Sequence, residues 1–404
     1  MKRDVSKILG YASLAAFILA IPAGLLFPSF CRGIESLGTI YVNLLKIMIV
    51  PVLFSGIVSA LSDSRTNVSG ITLRTVIVFI VMFAASFILC SLLWLVLKPG
   101  VGVSFPETAW DGEVTSITLS GFLTSLFPSN IISAMSQNSL LPVIIFAFVM
   151  GIAIRECRLQ KLADVFLELN AAFSRMLSYV MYLTPIGVFA LLGNTVAGYG
   201  SRILGTAALY VGCAYLGCLL IAVFVMILPV SLYCGISPLT YIKRVYKIWL
   251  MTLTTCSSAA TLPNTIKVCN EEFGVPENIT NLVVPLGCTI HMCGGAVSFS
   301  LLALFNMQMF GLQPDLGMWF LMFFTALLIN MGAPGIPGGG IVIGATYLSI
   351  LGIPISFIGF YAGIYRLLDM AYTTMNVCGD ITANVLINKM VGGNAAEGTE
   401  DEED

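Results

Sequence analysis

The sequence predicts an all-α polytopic membrane protein, and three observations predict it. Of the 404 residues, 58% are hydrophobic and 10% charged, with a mean hydropathy of +0.96, which excludes a soluble globular domain. Apolar runs long enough to span a bilayer recur at about 8–28, 37–62, 74–98, 139–156, 164–198 and 203–234. Beyond residue 240 two Gly/Ser/Pro-interrupted segments, TLTTCSSAATLPNT (252–265) and NMGAPGIPGGGIVIG (330–344), sit among apolar stretches too short to cross alone.

The first run follows a short basic start (Lys2, Arg3, Lys7) and has no small-residue cleavage site after it, so it is expected to stay as a span rather than be removed. Several of the six runs exceed one perpendicular crossing, which implies tilt or bending. Basic residues gather at the N-terminus and in the loops at 63–74 (Arg65, Arg74), 155–161 (Arg155, Arg158, Lys161) and 243–247 (Lys243, Arg244, Lys247). The alternate loops are poor in them: only Arg32 near 29–36, only Arg202 near 199–202, and none in 101–138, which carries Glu107, Asp111 and Glu113. This asymmetry predicts cytoplasmic N- and C-termini in a plasma membrane, the inner membrane of a bacterium.

The formal charge of −2 conceals a division. Six of the 21 acidic residues (Glu397, Glu400, Asp401, Glu402, Glu403, Asp404) lie in the tail, leaving 15 against 19 basic ones. Residues 393–404 are expected to be a solvated, disordered end. Eleven cysteines are scattered through apolar segments without a CxxC pair, beside a single histidine, which argues against a zinc site or disulfide framework. Most should be small core residues. No Gly-rich phosphate loop precedes a soluble helix, so no nucleotide, cofactor or nucleic acid is implied.

Each interrupted segment is followed by a long apolar stretch with its own polar break, GCTIHMCGGAV (287–297) after the first and TTMNVCGD (373–380) after the second. The unit repeats. Irregular backbone at membrane depth survives only where protein buries it or it lines a cavity, and a pair of such segments marks a transporter's binding site. The last apolar segment, 359–391, carries Arg366, Asp369, Tyr372, Thr373, Asn376 and Asp380. At about 100° per residue these fall in one arc of roughly 120°. An ionised Asp at a bilayer centre costs at least ~2.5–3.5 kcal/mol, so this face needs a ligand, an ion path or an internal ion pair such as Arg366 with Asp369.

LLKIMIVPVLFSGIVSAL (44–61), LLPVIIFAFVMGIAI (140–154), TPIGVFALL (184–192), SSAATLP (257–263), GAPGIPGGG (332–340) and LDMAYTTMNVCGD (368–380) occur in this order over nearly the whole chain. Together they resemble the dicarboxylate/amino acid:cation symporter family. The resemblance implies eight transmembrane helices plus two re-entrant helical hairpins arranged as inverted repeats, a homotrimer in the lipid bilayer, and elevator-type transport. It divides the chain into scaffold helices 1–2 (1–73), transport-domain helix 3 (74–100), scaffold helices 4–5 (101–200) and the rest of the transport domain (201–392). That last part comprises helix 6, hairpin 1 (about 238–266), helix 7 (about 277–312), hairpin 2 (about 318–350) and helix 8 (about 354–391).

Residue by residue, the resemblance implies that Asp369 holds a substrate ammonium. Asn376, helped by Ser258 and the neighbouring Ser257, takes the α-carboxylate, Thr373 lines the pocket, and Gly335, Pro337 and Gly338 belong to the gate. An anionic acceptor with amide donors one to two turns away suits a zwitterion. Acidic-substrate members place an arginine where this chain has Tyr372 or Cys256, which favours a neutral amino acid here. Arg366, on the same face, keeps glutamate, aspartate or a dicarboxylate open as the alternative.

Sodium-driven members carry an Asn-Met-Asp-Gly-Thr motif where this chain has His291, Met292, Cys293, Gly294 and Gly295, and apolar residues around Phe79 to Ala85 replace further ligands. One sodium site is thereby dismantled. The other keeps Gly287, Asn376 and Asp380, the last two as metal ligands if sodium is bound, but its remaining asparagine is His291. Tyr365 stands where some sodium-coupled members have an acid. A histidine there suggests H+ as coupling ion, with His291 as carrier and Asp380 as partner. Na+ at Asp380 is the rival, and a core histidine satisfied by a carbonyl is the bland alternative. A channel would use similar polar residues, and an intramembrane hydrolase would need Ser257 or Ser258 paired with His291. No carboxylate orients that histidine in a recognisable triad motif, so no enzyme is expected.

Overall fold

The computed structural model describes residues 2–62, 70–103, 124, 127–137, 140–199, 202–331, 339–354 and 357–393, and among them the secondary structure is helical throughout, with no strand. The N-terminal half contains α1 (Lys2–Leu26), α2 (Pro28–Gly33), α3 (Glu35–Ile47), α4 (Ile49–Ser62), α5 (Gly70–Leu97), α6 (Ile131–Ser136), α7 (Leu140–Glu156), α8 (Gln160–Met181) and α9 (Thr184–Tyr199). Then come α10 (Arg202–Ile221), a π-helical stretch (Ala222–Ile227) and α11 (Leu228–Cys234), which run on as one rod of 30 residues from Gly205 to Cys234. The remaining helices are α12 (Pro238–Thr255), α13 (Ser258–Glu271), α14 (Glu277–Ile290), α15 (Cys293–Met309), α16 (Leu316–Asn330), α17 (Gly339–Ile350) and α18 (Ile358–Met390).

Two of the long apolar runs are broken. The run at 37–62 divides into α3 and α4, and that at 164–198 bends by 51° between α8 and α9. In each case a proline lies four residues past the end of the first helix: Pro51 follows Ile47 and Pro185 follows Met181. A proline ring collides with the carbonyl four residues back, so the helix ends there.

α18 is the axis of the C-terminal half. It runs 33 residues, is buried along most of its length, and touches α5, α9, α10, α11 and α12 to α15. An all-round buried helix needs partners for its polar side chains inside the protein, and several of those on α18 have them. Thr374 Oγ1 lies 2.8 Å from Thr252 Oγ1, Thr382 Oγ1 lies 2.8 Å from Tyr241 OH, and Asn384 Nδ2 donates to Thr280 Oγ1 at 3.0 Å. In the N-terminal half α1 and α3 pack on α9, and α4 packs on α7 and α8.

Both polar breaks within reach interrupt helices. α12 ends at Cys256, whose φ of 48° and ψ of 40° are left-handed, a conformation that is uncommon for a side chain other than Gly. Ser257 then caps α13, accepting from the Ala260 N–H at 3.2 Å. Between α14 and α15 the chain extends at His291 (φ −119°, ψ 105°), and the helix resumes at Cys293. The second Gly-rich segment, 332–338, including Gly335, Pro337 and Gly338, lies outside the described residues, as does most of the acidic tail. Nine of the eleven cysteines are buried, as small core side chains would be; Cys157 is exposed and Cys234 intermediate.

Candidate substrate and ion site

A cavity opens where the α12–α13 break, the α14–α15 break and the middle of α18 converge. It is lined by Cys256 and Ser258, by Met292, Gly295, Ser298 and Phe299, by Asn330, Gly340 and Ile343, and by Tyr365, Asp369, Tyr372, Thr373 and Asn376. Five side chains singled out in the sequence for substrate (Ser258, Asp369, Tyr372, Thr373, Asn376) thus share one wall or another of a single space. Ser257 is not among the lining residues, because its hydroxyl is used as the α13 cap.

The cavity's polar groups are held in place. Thr373 Oγ1 donates to Asp369 Oδ1 at 3.1 Å, one turn along α18. Asn376 Oδ1 accepts from the Gly294 N–H at 2.8 Å, the second residue of α15, which leaves the Asn376 amide N–H groups as donors. Asn330 Nδ2 donates to the Met292 carbonyl at 3.1 Å, tying α16 to the α14–α15 break. Gly294 and Gly295 permit this approach: a Cβ at Gly294 would strike the Tyr372 carbonyl, and one at Gly295 the Asn330 side chain. Ser298 and Phe299 were not identifiable from the sequence, since they sit in an apolar stretch past the 287–297 break, and Asn330, though it opens the interrupted segment 330–344, carries no signal that it would meet the other break.

Behind Gly294 and Gly295 lies a second cluster. His291 Nδ1 is 3.0 Å from Asp380 Oδ1, His291 Nε2 is 3.1 Å from Cys293 Sγ, and the imidazole stacks on Phe79 with centroids 4.3 Å apart and planes 6° from parallel. Both nitrogens are satisfied when Nδ1–H donates to the carboxylate and Nε2 accepts from the thiol. His291 is 1% and Asp380 2% exposed, so the pair meets without solvent. Gly287 and Gly379 close the remaining sides: a Cβ at Gly287 would meet the Asp380 carboxylate, and one at Gly379 would lie 2.9 Å from His291 Cε1. The Gly287 carbonyl accepts the His291 N–H at 2.9 Å. The structure therefore brings Gly287, His291 and Asp380 together, while Asn376 turns toward Gly294. The bland alternative for His291, a ring satisfied by a carbonyl, is replaced by a ring held between a carboxylate and a thiol.

A helical membrane protein whose broken helices meet around a shared set of buried donors and acceptors belongs to the class of membrane transporters. The chain belongs to the sodium:dicarboxylate symporter family, whose profile matches residues 9–390. It is 30% identical over 371 residues to the proton/glutamate-aspartate symporter of Escherichia coli (strain K12), covering 87% of this chain and 84% of that protein. It is 29% identical over 396 residues, 95% of each chain, to the proton/glutamate-aspartate symporter of Bacillus subtilis (strain 168). To a C4-dicarboxylate transport protein of Deinococcus radiodurans it is 30% identical over 389 residues, 93% of this chain and 87% of that one. The protein is thus a cation-coupled symporter and not an enzyme.

Proposed function

We propose that the protein carries an acidic amino acid across the membrane together with a proton. The observation that carries the reading is the shared cavity of Asp369, Thr373, Asn376 and Ser258. A carboxylate acceptor beside amide and hydroxyl donors receives an ammonium and a carboxylate at once. A dicarboxylate without an ammonium would face Asp369 with like charge, so the amino acid is favoured over a C4-dicarboxylate. The relatives named above are glutamate-aspartate and dicarboxylate carriers, and they favour the acidic alternative over the neutral amino acid anticipated from Tyr372 and Cys256. That anticipation equated the missing guanidinium with a missing partner, and hydroxyls also serve a carboxyl group.

For the cation, the geometry around Asp380 supports H+ over Na+. A sodium ion there would have to displace the imidazole from Asp380 Oδ1 and compete with Gly294 for Asn376 Oδ1. Uptake of labelled glutamate and aspartate into proteoliposomes, with sodium and proton gradients imposed separately, tests the reading. Uptake driven by the proton gradient supports it; uptake that requires sodium, or none of either substrate, rejects it.

The wider architecture follows the resemblance. In this reading α12 with α13, and α16 with α17, form the two re-entrant hairpins, residues 1–73 and 101–200 the scaffold of a homotrimer, and the remainder a part that moves as an elevator. Its termini face the cytoplasm. A native particle mass of three chains is expected, and a single-chain particle would reject the trimer.

A further inference from the structure

The cavity poses a charge problem for an acidic substrate, and the inference drawn from it rests on the acidic-substrate reading above. Of the described residues that line it, Asp369 is an anion and none is a cation. Arg366, three residues before Asp369 on α18, is not among the lining residues. The other titratable groups around the cavity are Cys256 at the α12–α13 break and Tyr365 and Tyr372 on α18, with Tyr361, Tyr210 and Cys218 behind Tyr372. α15, α16 and α17 contribute no ionisable residue to the lining: theirs are Met292, Gly295, Ser298, Phe299, Asn330, Gly340 and Ile343, Met292 lying just before α15. With Asp369 taken up by the substrate ammonium, an ionised distal carboxylate would enter a buried space whose described lining offers it no cation.

Hydroxyls are present instead. The Tyr372 side chain lines the cavity, the residue is 3% exposed, and among the described residues its OH has no hydrogen-bond partner. Buried hydroxyls are rarely left so, and this one belongs to a residue of the cavity wall. Ser298 Oγ, also in the lining, lies 2.8 Å from Tyr361 OH, and the Tyr361 ring packs on Tyr210 with centroids 6.1 Å apart. Tyr210 OH, fully buried, is likewise unpartnered among the described residues. Hydroxyls both donate and accept, so they can engage both polar atoms of a carboxylic acid or a carboxamide, whereas a bare carboxylate uses only their donors.

We propose that the distal carboxyl of the substrate enters the cavity as the neutral acid, received by the Tyr372 hydroxyl and the Ser298–Tyr361 pair, so that one proton crosses on the substrate itself. The proton joins a carboxylate oxygen on the side of uptake and leaves it to water on the other. No electrons move. This holds whichever cation the His291–Asp380 pair passes, and it reconciles side chains suited to a neutral group with relatives that carry acidic ones.

The test is exchange in proteoliposomes with equal substrate and equal pH on both sides, so that no gradient contributes, at a series of pH values from 5.5 to 8. Labelled glutamate is the reporter and glutamine, which mimics the neutral acid, the competitor. With an ordinary carboxyl pKa of ~4.3, the competent fraction falls about tenfold per pH unit, and the glutamate KM should rise by that factor. The glutamine inhibition constant should change less than about twofold, so the ratio of the two isolates the substrate's proton from titration of the protein. Tyr372→Phe should weaken glutamate and glutamine alike, and Tyr372→Arg should flatten the glutamate pH dependence. A ratio that does not move with pH, or a failure of glutamine to compete, overturns the proposal in the wild-type protein without reference to any variant. Absence of glutamate exchange at every pH overturns the acidic-substrate reading beneath it.

Discussion

His291 and Asp380, 89 residues apart in sequence, meet at 3.0 Å in the interior of the C-terminal half, with the imidazole sandwiched by Phe79 on its face and Cys293 at its far nitrogen. In the proposed function the ring occupies the side of the carboxylate where a sodium ion would otherwise bind. His291→Asn removes the ring and leaves an amide oxygen that can join Asp380, Asn376 and the Gly287 carbonyl around an ion. Uptake by this variant is expected to gain sodium dependence in liposomes, with proton-driven uptake reduced at least tenfold. Uptake that is indifferent to the substitution would assign His291 a packing role.

Asp369 is the one anion among the described residues that line the cavity, and in the proposed function it holds the substrate ammonium. Removing one partner of a buried hydrogen-bonded charge pair costs about 2–5 kcal/mol, which is at least about thirtyfold in affinity. Asp369→Asn should therefore lose amino acid binding by that factor or more while the thermal unfolding temperature changes little. Full uptake by the variant would place the ammonium elsewhere.

Gly379 has His291 Cε1 2.9 Å and Cys293 Sγ 3.3 Å from where a Cβ would stand. Overpacking of this kind costs about 1–3 kcal/mol. Gly379→Ala is expected to lower the unfolding temperature by several degrees and to impair transport more than Asp369→Asn impairs folding. An unfolding temperature equal to that of the parent would show that the imidazole can withdraw.

Lys247, midway along α12, and Glu272, just past the end of α13, approach to 3.7 Å, with side chains 64% and 40% exposed. Exposed pairs contribute about 0–1 kcal/mol and less in salt. Glu272→Gln should leave uptake unchanged and shift the unfolding temperature by no more than a degree or two. A large shift would mean the pair is shielded by something bound there.

Much of this was legible in advance. The polar arc of α18 was readable because six polar side chains at helical spacing in a long apolar run have few other uses, and the breaks at 252–265 and 287–297 announced themselves through Ser, Gly and Thr. The break of the two long runs was less so: Pro51 and Pro185 end helices four residues upstream, but Pro22, Pro263 and Pro285 lie inside helices that continue. A proline alone does not announce a break, because neighbouring helices can satisfy the freed carbonyl. Cys293 was read as a lost ion ligand, and that it faces the far side of the imidazole depends on the extended backbone at His291, which no local pattern encodes. Substrate charge was inferred from two side chains; the hydroxyls that bear on it come from α15 and α18, 63 residues apart at Ser298 and Tyr361.

The π-helical turn at Ala222–Ile227 keeps a long rod in phase. α10 before it and α11 after it both pack on α18. A π turn holds one residue more than an α turn, which rotates everything downstream by about 100° relative to an uninterrupted helix. The extra residue is what lets both halves of the rod address the same neighbour. It follows that this span tolerates insertions and deletions unequally: one residue lost within the wide turn would swing the contact stripe of α11 away from α18 and bring Pro229 into an α-helical register, where its ring meets the carbonyl four residues back.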